Sequence, residues 1–435
     1  MDLKKSLECF LDRFKLDRNV PAVLSAHAPC YVVGGWIRDA LVGHTSADID
    51  LVMENPAEAA KHLGNSLRGR VICLDEEHQI YRIVLHRLGM TIDLAQLYHH
   101  DIIEDLKHRD LTVNAMAFDL LRPESILDPF HGARDLEQGI IRTVGPNSLA
   151  EDPLRVFRVF RFAARLGFII DPPVFNRIRA IRTALPSIAG ERIVYELSLF
   201  LSGPNPCPYL APFLESDILP AILGRHSSEF PTPDMASFCN LAVAILEPPP
   251  LPGFSPARDI LIPDRYFHDG ARLLLLIHLF FGYYQHLMND LISKLKINSF
   301  LNHRLKQAGR FLQKLDECPD TRSIQELALE LIADYGNWIM LLIYYRYLHQ
   351  RALPDHDSRW ESVLRLYQTE WKSNLNLSLP LNGEILHRDY ALKPGPIFKT
   401  ILRQLKIDMI RGKIRNRTEA DRLVRQIIET NPLAN

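Results

Sequence analysis

Two aspartates stand two residues apart in Asp48-Ile49-Asp50-Leu51-Val52-Met53, and two glycines close an apolar run in Tyr31-Val32-Val33-Gly34-Gly35-Trp36-Ile37-Arg38-Asp39. Strand side chains alternate, so Asp48 and Asp50 project side by side from one face. Adjacent carboxylates repel, and a divalent cation most readily offsets that repulsion. Paired glycines let backbone N–H groups approach phosphate, and the helix start behind them, carrying Arg38, favours negative charge. Each half alone has an ordinary reading, a tight turn and a solvated strand end. Together they describe the chemistry of nucleotidyl transfer.

Three later stretches carry groups that such a site would use. Asp93, in Thr91-Ile92-Asp93-Leu94, is either a third carboxylate or a strand-end aspartate in water. In Arg109-Asp110-Leu111-Thr112-Val113-Asn114-Ala115, a helix beginning near Arg109 would put Asp110 and Asn114 on one face. That face suits a ribose hydroxyl, with Arg109 on phosphate; the plain alternative is a charged helix start. In Glu151-Asp152-Pro153-Leu154-Arg155-Val156-Phe157-Arg158-Val159-Phe160-Arg161-Phe162, Pro153 suits a first helical turn and Asp152 an N-cap. Arg155, Arg158 and Arg161 form a basic stripe, and Phe157, Phe160 and Ala164 the packed side.

The elements that must position these groups fall into two styles. Strand-like runs at 70–74, 79–85 and 90–97, with a helix from Pro56 to Leu67, give a mixed α/β region over roughly 25–145. An amphipathic helix over 1–20 precedes it, with Leu3, Leu7, Phe10, Leu11 and Phe14 on its apolar side. From Asp171 to Leu201 the pattern is helical, Gly203-Pro204-Asn205-Pro206 reads as a boundary, and Pro248-Pro249-Pro250-Leu251-Pro252-Gly253 as a loop. Long amphipathic helices follow to the end.

Composition narrows the function classes. In 435 residues, 51 Lys and Arg face 52 Asp and Glu, so any nucleic-acid surface must be local. Cys9, Cys30, Cys73, Cys207, Cys239 and Cys318 lie scattered without Cys-x-x-Cys spacing, which points to reduced thiols in a cytoplasmic protein and away from a zinc site. The first residues do not read as a signal peptide, and the most apolar run, Leu273 to Tyr284, is too short for a bilayer. The local basic surface falls near the end: Lys399, Arg403, Lys406, Arg411, Lys413 and Arg415 among few acids. His268-Asp269 stands alone, without the paired His-Asp spacing of a metal phosphohydrolase.

The Gly34–Asp50 stretch resembles the first motif of polymerase-β-type nucleotidyltransferases, in particular the class II tRNA nucleotidyltransferase and poly(A) polymerase family. Arg109–Ala115 matches that family's second motif almost letter for letter. Asp128-Pro129-Phe130-His131-Gly132-Ala133-Arg134-Asp135-Leu136 resembles the third, a turn and short helix where Asp135 braces the structure. Glu151–Arg155 resembles the fourth, Gly190–Leu197 the helical neck, and Leu381-Asn382-Gly383-Glu384 through the final basic helix the C-terminal segment.

The resemblance implies an α+β chain: a nucleotidyltransferase head at 1–145, an all-helical neck with a base-reading helix at 146–205, and an RNA-binding body and tail at 206–435. It implies template-independent transfer of CMP or AMP from CTP or ATP to a tRNA 3′ end, with Asp48 and Asp50 holding two Mg²⁺ and Asp93 beside them. Gly34, Gly35 and Arg38 would take the triphosphate, Arg109, Asp110 and Asn114 phosphate and ribose, and Asp152, Arg155, Arg158 and Arg161 the base. Lys399, Arg403, Lys406, Arg411, Lys413 and Arg415 would meet tRNA phosphates. A carboxylate accepting from an exocyclic amine and a guanidinium donating to the neighbouring ring nitrogen suit cytosine and adenine. Uracil and guanine would leave both groups mispaired, at about 1–3 kcal/mol each. Full CCA-adding relatives carry a flexible loop before the second motif. Here only Tyr98–Glu104 stands there, which leaves CC addition alone, A addition or polyadenylation as alternatives. A small-molecule nucleotidyltransferase would not need the Glu151–Arg161 stripe, and an idle RNA-binding relative would not need Asp48 and Asp50.

Overall fold

The computed structural model describes residues 29–44, 46–120, 126–229, 234–246, 287–296, 299–351, 358–375 and 377–430, with Val20, Leu24, His27, Ser255, Ile260 and 275–278. The expected helix over 1–20 (all but Val20), the proline loop at 248–253 and His268-Asp269 lie outside the described residues. The chain divides into two compact units, 1–226 and 227–435.

The first unit is built on a six-stranded sheet in the order β3-β4-β5-β2-β1-β6. Its strands are β1 (Cys30–Val33), β2 (Asp48–Met53), β3 (Arg70–Asp75), β4 (Ile80–Leu85), β5 (Met90–Gln96) and β6 (Ala117–Asp119). Every pairing is antiparallel except β2 with β5, which run parallel and set Asp48 beside Thr91 and Asp50 beside Asp93. Val32, Val33, Leu51, Val52, Ile92 and Leu94 form the apolar centre, each buried. Helix α1 (Gly35–Leu41) leaves β1 through the Gly34 turn and buries Trp36, Ile37 and Ala40. Helix α2 (Pro56–Leu67) has the bounds its sequence predicts: Pro56 opens it, Ala59, Ala60 and Leu63 face inward, and left-handed Arg68 ends it.

The segment after β5 differs from the sequence expectation. A short 3₁₀ turn at Tyr98–His100 leads into α3 (Ile102–Lys107), capped by Asp101, and this helix stops before Arg109. Leu111 is extended and bridges Thr143, and only a 3₁₀ turn at Thr112–Asn114 follows. No α-helix begins near Arg109. The β-branched pair Thr112-Val113 and the cross-chain bridge override the i, i+4 pattern. Asp110 and Asn114 still meet, the Asn114 amide donating to Asp110 at 3.1 Å.

The third motif forms a turn and α4 (Gly132–Gln138), followed by β7 (Ile140–Ile141), paired parallel with β8 (Ile169–Ile170). Asp128 accepts from the Gly132 and Ala133 N–H groups, and fully buried Asp135 accepts from the Thr112 hydroxyl at 2.6 Å. A Cβ on Gly132 would lie 2.1 Å from the Thr112 carbonyl oxygen, so only glycine fits. Helices α5 (Ser148–Glu151), α6 (Arg155–Leu166), α7 (Pro172–Ala180), α8 (Gly190–Leu201), α9 (Cys207–Glu215) and α10 (Ile218–Ile222) complete the unit. The helical stretch expected over 171–201 is interrupted by a 3₁₀ segment, Arg182–Ser187, holding Pro186. Phe157 and Phe160 of α6 pack on Phe213 of α9, and Phe160 on Phe200 of α8.

The second unit is helical among its described residues: α11 (Met235–Leu246), α12 (Met288–Lys294), α13 (Ser299–Asp316), α14 (Thr321–Tyr335), α15 (Ile339–Arg351), α16 (Arg359–Leu366), α17 (Gly383–Tyr390), α18 (Pro396–Ile410) and α19 (Arg417–Thr430). Leu381, Leu386, Ile401, Leu405 and Val424 form one core cluster. No described helix is long and apolar enough to cross a membrane.

Candidate active site

One wall of the site is acidic and comes from the sheet. Asp48 is exposed and accepts from the Thr91 hydroxyl at 2.8 Å. Asp50, one pleat further in, is partly covered. Burial raises its pKa, Arg109 opposes that, and the Asp93 and Asp48 charges add to it. Asp93 stands across from Asp50, but Arg82 of β4 holds both its oxygens, Nε to Oδ1 at 2.7 Å and Nη2 to Oδ2 at 2.6 Å. Beside Asp50 the chain turns at Gly34, with φ 71° and ψ −128°. A Cβ there would sit 3.0 Å from Arg109 Nη1 and 3.7 Å from Asp50 Oδ2. That conformation and that space belong to glycine.

The donor set suits a hard divalent ion, with oxygen ligands on adjacent strand positions and a backbone turn open to phosphate. Among the described residues no group of three His, Cys, Asp or Glu side chains is placed to hold a metal. Asp48 and Asp50 would therefore act as a pair, with water and substrate phosphate supplying the other ligands, as magnesium favours.

The opposite wall is basic and comes from α6 and α8. Asp152 accepts from the Leu154 N–H at 3.1 Å, but it closes the turn ahead of the helix and does not cap it, because regular helix begins only at Arg155 and Leu154 takes the cap position. Its other oxygen accepts from Arg192 of α8 at 3.0 Å. Arg155 turns back to the carbonyl oxygens of Ser148 and His108 and pairs with Glu151 at 3.2 Å. Arg158 donates to Asp110 at 2.6 Å, and Arg161 faces Glu196 at 3.1 Å. Arg38, Arg158 and Arg161 surround the Phe162 ring at 4.9, 5.6 and 4.3 Å. Asp39 joins Arg38 to Arg165, and Arg38 also donates to Asn114. Guanidinium groups this crowded repel unless acids stand between them, and here Asp39, Asp110 and Glu196, all buried, do so.

The titration of these acids follows from their partners. Burial works to raise the Asp110 pKa, but the Arg158 charge, the Asn114 amide and the Leu111 N–H outweigh it, and the result is lowered. Burial prevails at Glu196, which is raised despite Arg161 and Arg158. Burial also lowers Arg38, against the opposing pull of Asp39.

The two walls enclose a cleft of about 750 Å³, within the usual size of small-molecule sites. Gly34, Gly35, Arg38, Asp48, Asp50, Asp93, Arg109, Asp110, Asn114, Asp152, Arg155, Arg158 and Arg161 all line it, so the sequence-predicted nucleotide and metal residues converge. Arg82, Arg165, Arg192 and Tyr195 also line it and were not singled out from sequence. Arg192 and Tyr195 lie in the Gly190–Leu197 run, whose motif marks an element but not the side chains that reach the cleft. The tail residues belong to the second unit and are unequal. Arg403 pairs with Asp334 and Glu330, Lys406 donates to the Ala333 carbonyl, and Arg415 to that of Gly412. Arg411 is partly covered, while Lys399 and Lys413 are exposed.

Residues 30–142 match the poly(A) polymerase head domain. Over 199 residues, 45% of each chain, the sequence is 38% identical to the CC-adding tRNA nucleotidyltransferase of Geobacter sulfurreducens. Over 421 residues, 93% of this chain and 95% of the relative, it is 26% identical to the CC-adding tRNA nucleotidyltransferase of Synechocystis sp.. The solved Thermotoga maritima CCA-adding enzyme complexed with tRNA shares the fold, with a TM-score of 0.67 at 22% identity over 99% of this chain and 98% of that one. Residues 30–142 thus carry a poly(A) polymerase head domain, along nearly its full length the chain is similar to tRNA nucleotidyltransferases, and the first, second and fourth motifs gather in one cleft.

Proposed function

We propose that this chain transfers CMP and AMP from CTP and ATP, without a template, to the 3′ end of tRNA and releases pyrophosphate. The observation that carries this reading is the single cleft in which Asp48 and Asp50 face the α6 arginine wall. Asp48 and Asp50 would hold two Mg²⁺, which supply activation of the RNA terminal hydroxyl and neutralisation of the triphosphate. Gly35, at the start of α1, offers its backbone N–H, the Gly34 N–H being held by the Met116 carbonyl, and Arg38 and Arg109 offer their charge to the triphosphate. Asp110 and Asn114, already bonded to each other, meet the ribose. Asp152 and Arg155 take the base edge, and both are anchored beforehand, Asp152 by Arg192 and Arg155 by backbone carbonyls. Asp93, neutralised by Arg82, sets the charge beside Asp50.

In the second unit, Lys399, Arg403, Lys406, Arg411, Lys413 and Arg415 supply the tRNA surface, with Lys399, Lys413 and Arg415 exposed. The head at 1–145, neck at 146–205 and RNA-binding body at 206–435 remain our functional division. A cytoplasmic setting agrees with the lack of a disulfide among the described cysteines.

A second reading, CC addition alone, is favoured by one observation. Between β5 and Arg109 the chain forms a 3₁₀ turn and α3, with no room for an added flexible loop. Relatives in Geobacter sulfurreducens and Synechocystis sp. carry the name CC-adding. The test is incorporation into tRNA transcripts ending at the discriminator base, at C and at CC, with CTP, ATP and both. A ladder stopping at CC supports the second reading, and one reaching CCA supports the first. A-only products or long A tails would replace both, and no incorporation on any transcript would remove the proposal.

A further inference from the structure

A nucleobase has two edges' worth of hydrogen bonds and two flat π faces, and the assignments above account only for an edge. Apolar surface in the cleft comes from Trp36, Leu154, Phe162 and Tyr195. Three of these have no face to offer: Trp36, Leu154 and Phe162 are 4%, 5% and 5% exposed. Trp36 packs against Phe118 with ring centres 5.9 Å apart, and the Phe162 ring is surrounded by Arg38, Arg158 and Arg161. Tyr195 is 49% exposed. It sits on α8 three residues after Arg192, so the two side chains share a helix face, and Arg192 holds the carboxylate of Asp152.

We propose that Tyr195 is the stacking platform for the base of the incoming nucleoside triphosphate. The inference rests on the nucleotidyl-transfer reading and adds the group that holds the base flat while Asp152 meets its edge. Stacking on an aromatic ring is indifferent to base identity, because every base has a π face. Tyr195 therefore supplies affinity for CTP and ATP alike, and the Asp152 side of the cleft supplies the choice. The ring, and not the hydroxyl, does this work.

The test compares Tyr195→Leu and Tyr195→Phe with the unaltered protein, all checked for matching thermal melts. Tyr195→Leu is expected to raise the KM for CTP roughly ten-fold, the scale of one lost base stack. Its kcat and its KM for RNA should stay within about two-fold, and Tyr195→Phe should behave as the unaltered protein. Inorganic tripolyphosphate with Mg²⁺ lacks a base and should compete equally well against all three. An unchanged KM for CTP in Tyr195→Leu overturns the proposal, as does a loss that falls on the RNA KM, a parallel loss for tripolyphosphate, or failure of Tyr195→Phe to retain binding. Calorimetric titration of CTP reads the same stack without catalysis. An unaltered protein that binds CTP through Tyr195 yet incorporates nothing would separate a failure of the transfer reading from a failure of this one.

Discussion

Two basic helical surfaces of this molecule look alike in sequence and differ in structure. On α6, Arg155, Arg158 and Arg161 recur every third residue; on α18 and the turn after it, Lys399, Arg403, Lys406, Arg411, Lys413 and Arg415 follow at spacings of two to five. Two of the α6 arginines are held by buried acids far away in the chain, Arg158 by Asp110 and Arg161 by Glu196, and Arg155 by backbone carbonyls. On α18 the acids are on the surface: Arg403 meets Glu330 and Asp334, which are 49% and 33% exposed. Buried partners fix a guanidinium in place and keep its field directed into a cleft, whereas surface partners, half-screened by water, fix it weakly. A run of cations thus becomes a binding wall through the acids that hold it.

The comparison can be broken from the acidic side first, with the largest effect. Asp50→Asn removes a carboxylate the α6 wall faces, and nucleotide incorporation should fall by about 1,000-fold or more with the fold intact. Transfer at a rate near that of the unaltered protein would mean the cleft is not where chemistry occurs.

Next is the buried lock. Asp110→Asn removes the nearer of the two acids on Arg158, Glu196 remaining at 3.7 Å, and should cost about 2–3 kcal/mol in urea unfolding, under the fully buried case because the Arg158 side chain is 34% exposed. The same pair gives a pH signature. Because Asp110 titrates below its usual range when folded, its contribution is fully present above about pH 4 and disappears as pH falls through the lowered value. The stability gap between Asp110→Asn and the unaltered protein should therefore close on acidification. A gap that stays constant down to the acid limit would show that the carboxylate charge is not what holds Arg158.

The smallest effect belongs to the second surface. Arg403→Ala should change stability by no more than about 1 kcal/mol. Removing exposed Lys399 and Lys413 together should instead weaken tRNA binding and reduce the slope of log affinity against log salt by about 1.5–2. If Arg403→Ala alone matched the Asp110→Asn cost, the contrast between buried and surface partners would not hold.

Much of the first unit could be read from sequence because its signals are local. Helix α2 has a proline start and a regular apolar face, and strands β3, β4 and β5 fall within a residue or two of their expected bounds. Asp152 closes the turn before α6 through the Leu154 N–H, short of the cap position expected for it. The stretch after Arg109 was misread because its Asp110–Asn114 spacing imitates a helix face, while the pairing of Leu111 with Thr143, which prevents the helix, depends on residues 32 positions away. The partners Arg192 for Asp152 and Glu196 for Arg161 are similarly remote, and no spacing rule joins them. Arg82 on Asp93 is closer in the chain but visible only once β4 and β5 are registered. Sequence disclosed which groups the site would need. The alliances that aim them required the folded chain.

The lone parallel pairing in the sheet, β2 with β5, has a consequence for how the protein is made. Asp50 and Asp93 become neighbours only after the intervening hairpin has been synthesised and the crossover closed, and Glu196 joins Arg161 later still. During translation Asp93 follows Arg82 closely, whereas Asp110 must wait 48 residues for Arg158, and Arg161 a further 35 for Glu196. Close to residue 200 the last of these pairs becomes possible, and only a chain of that length can assemble the whole cleft.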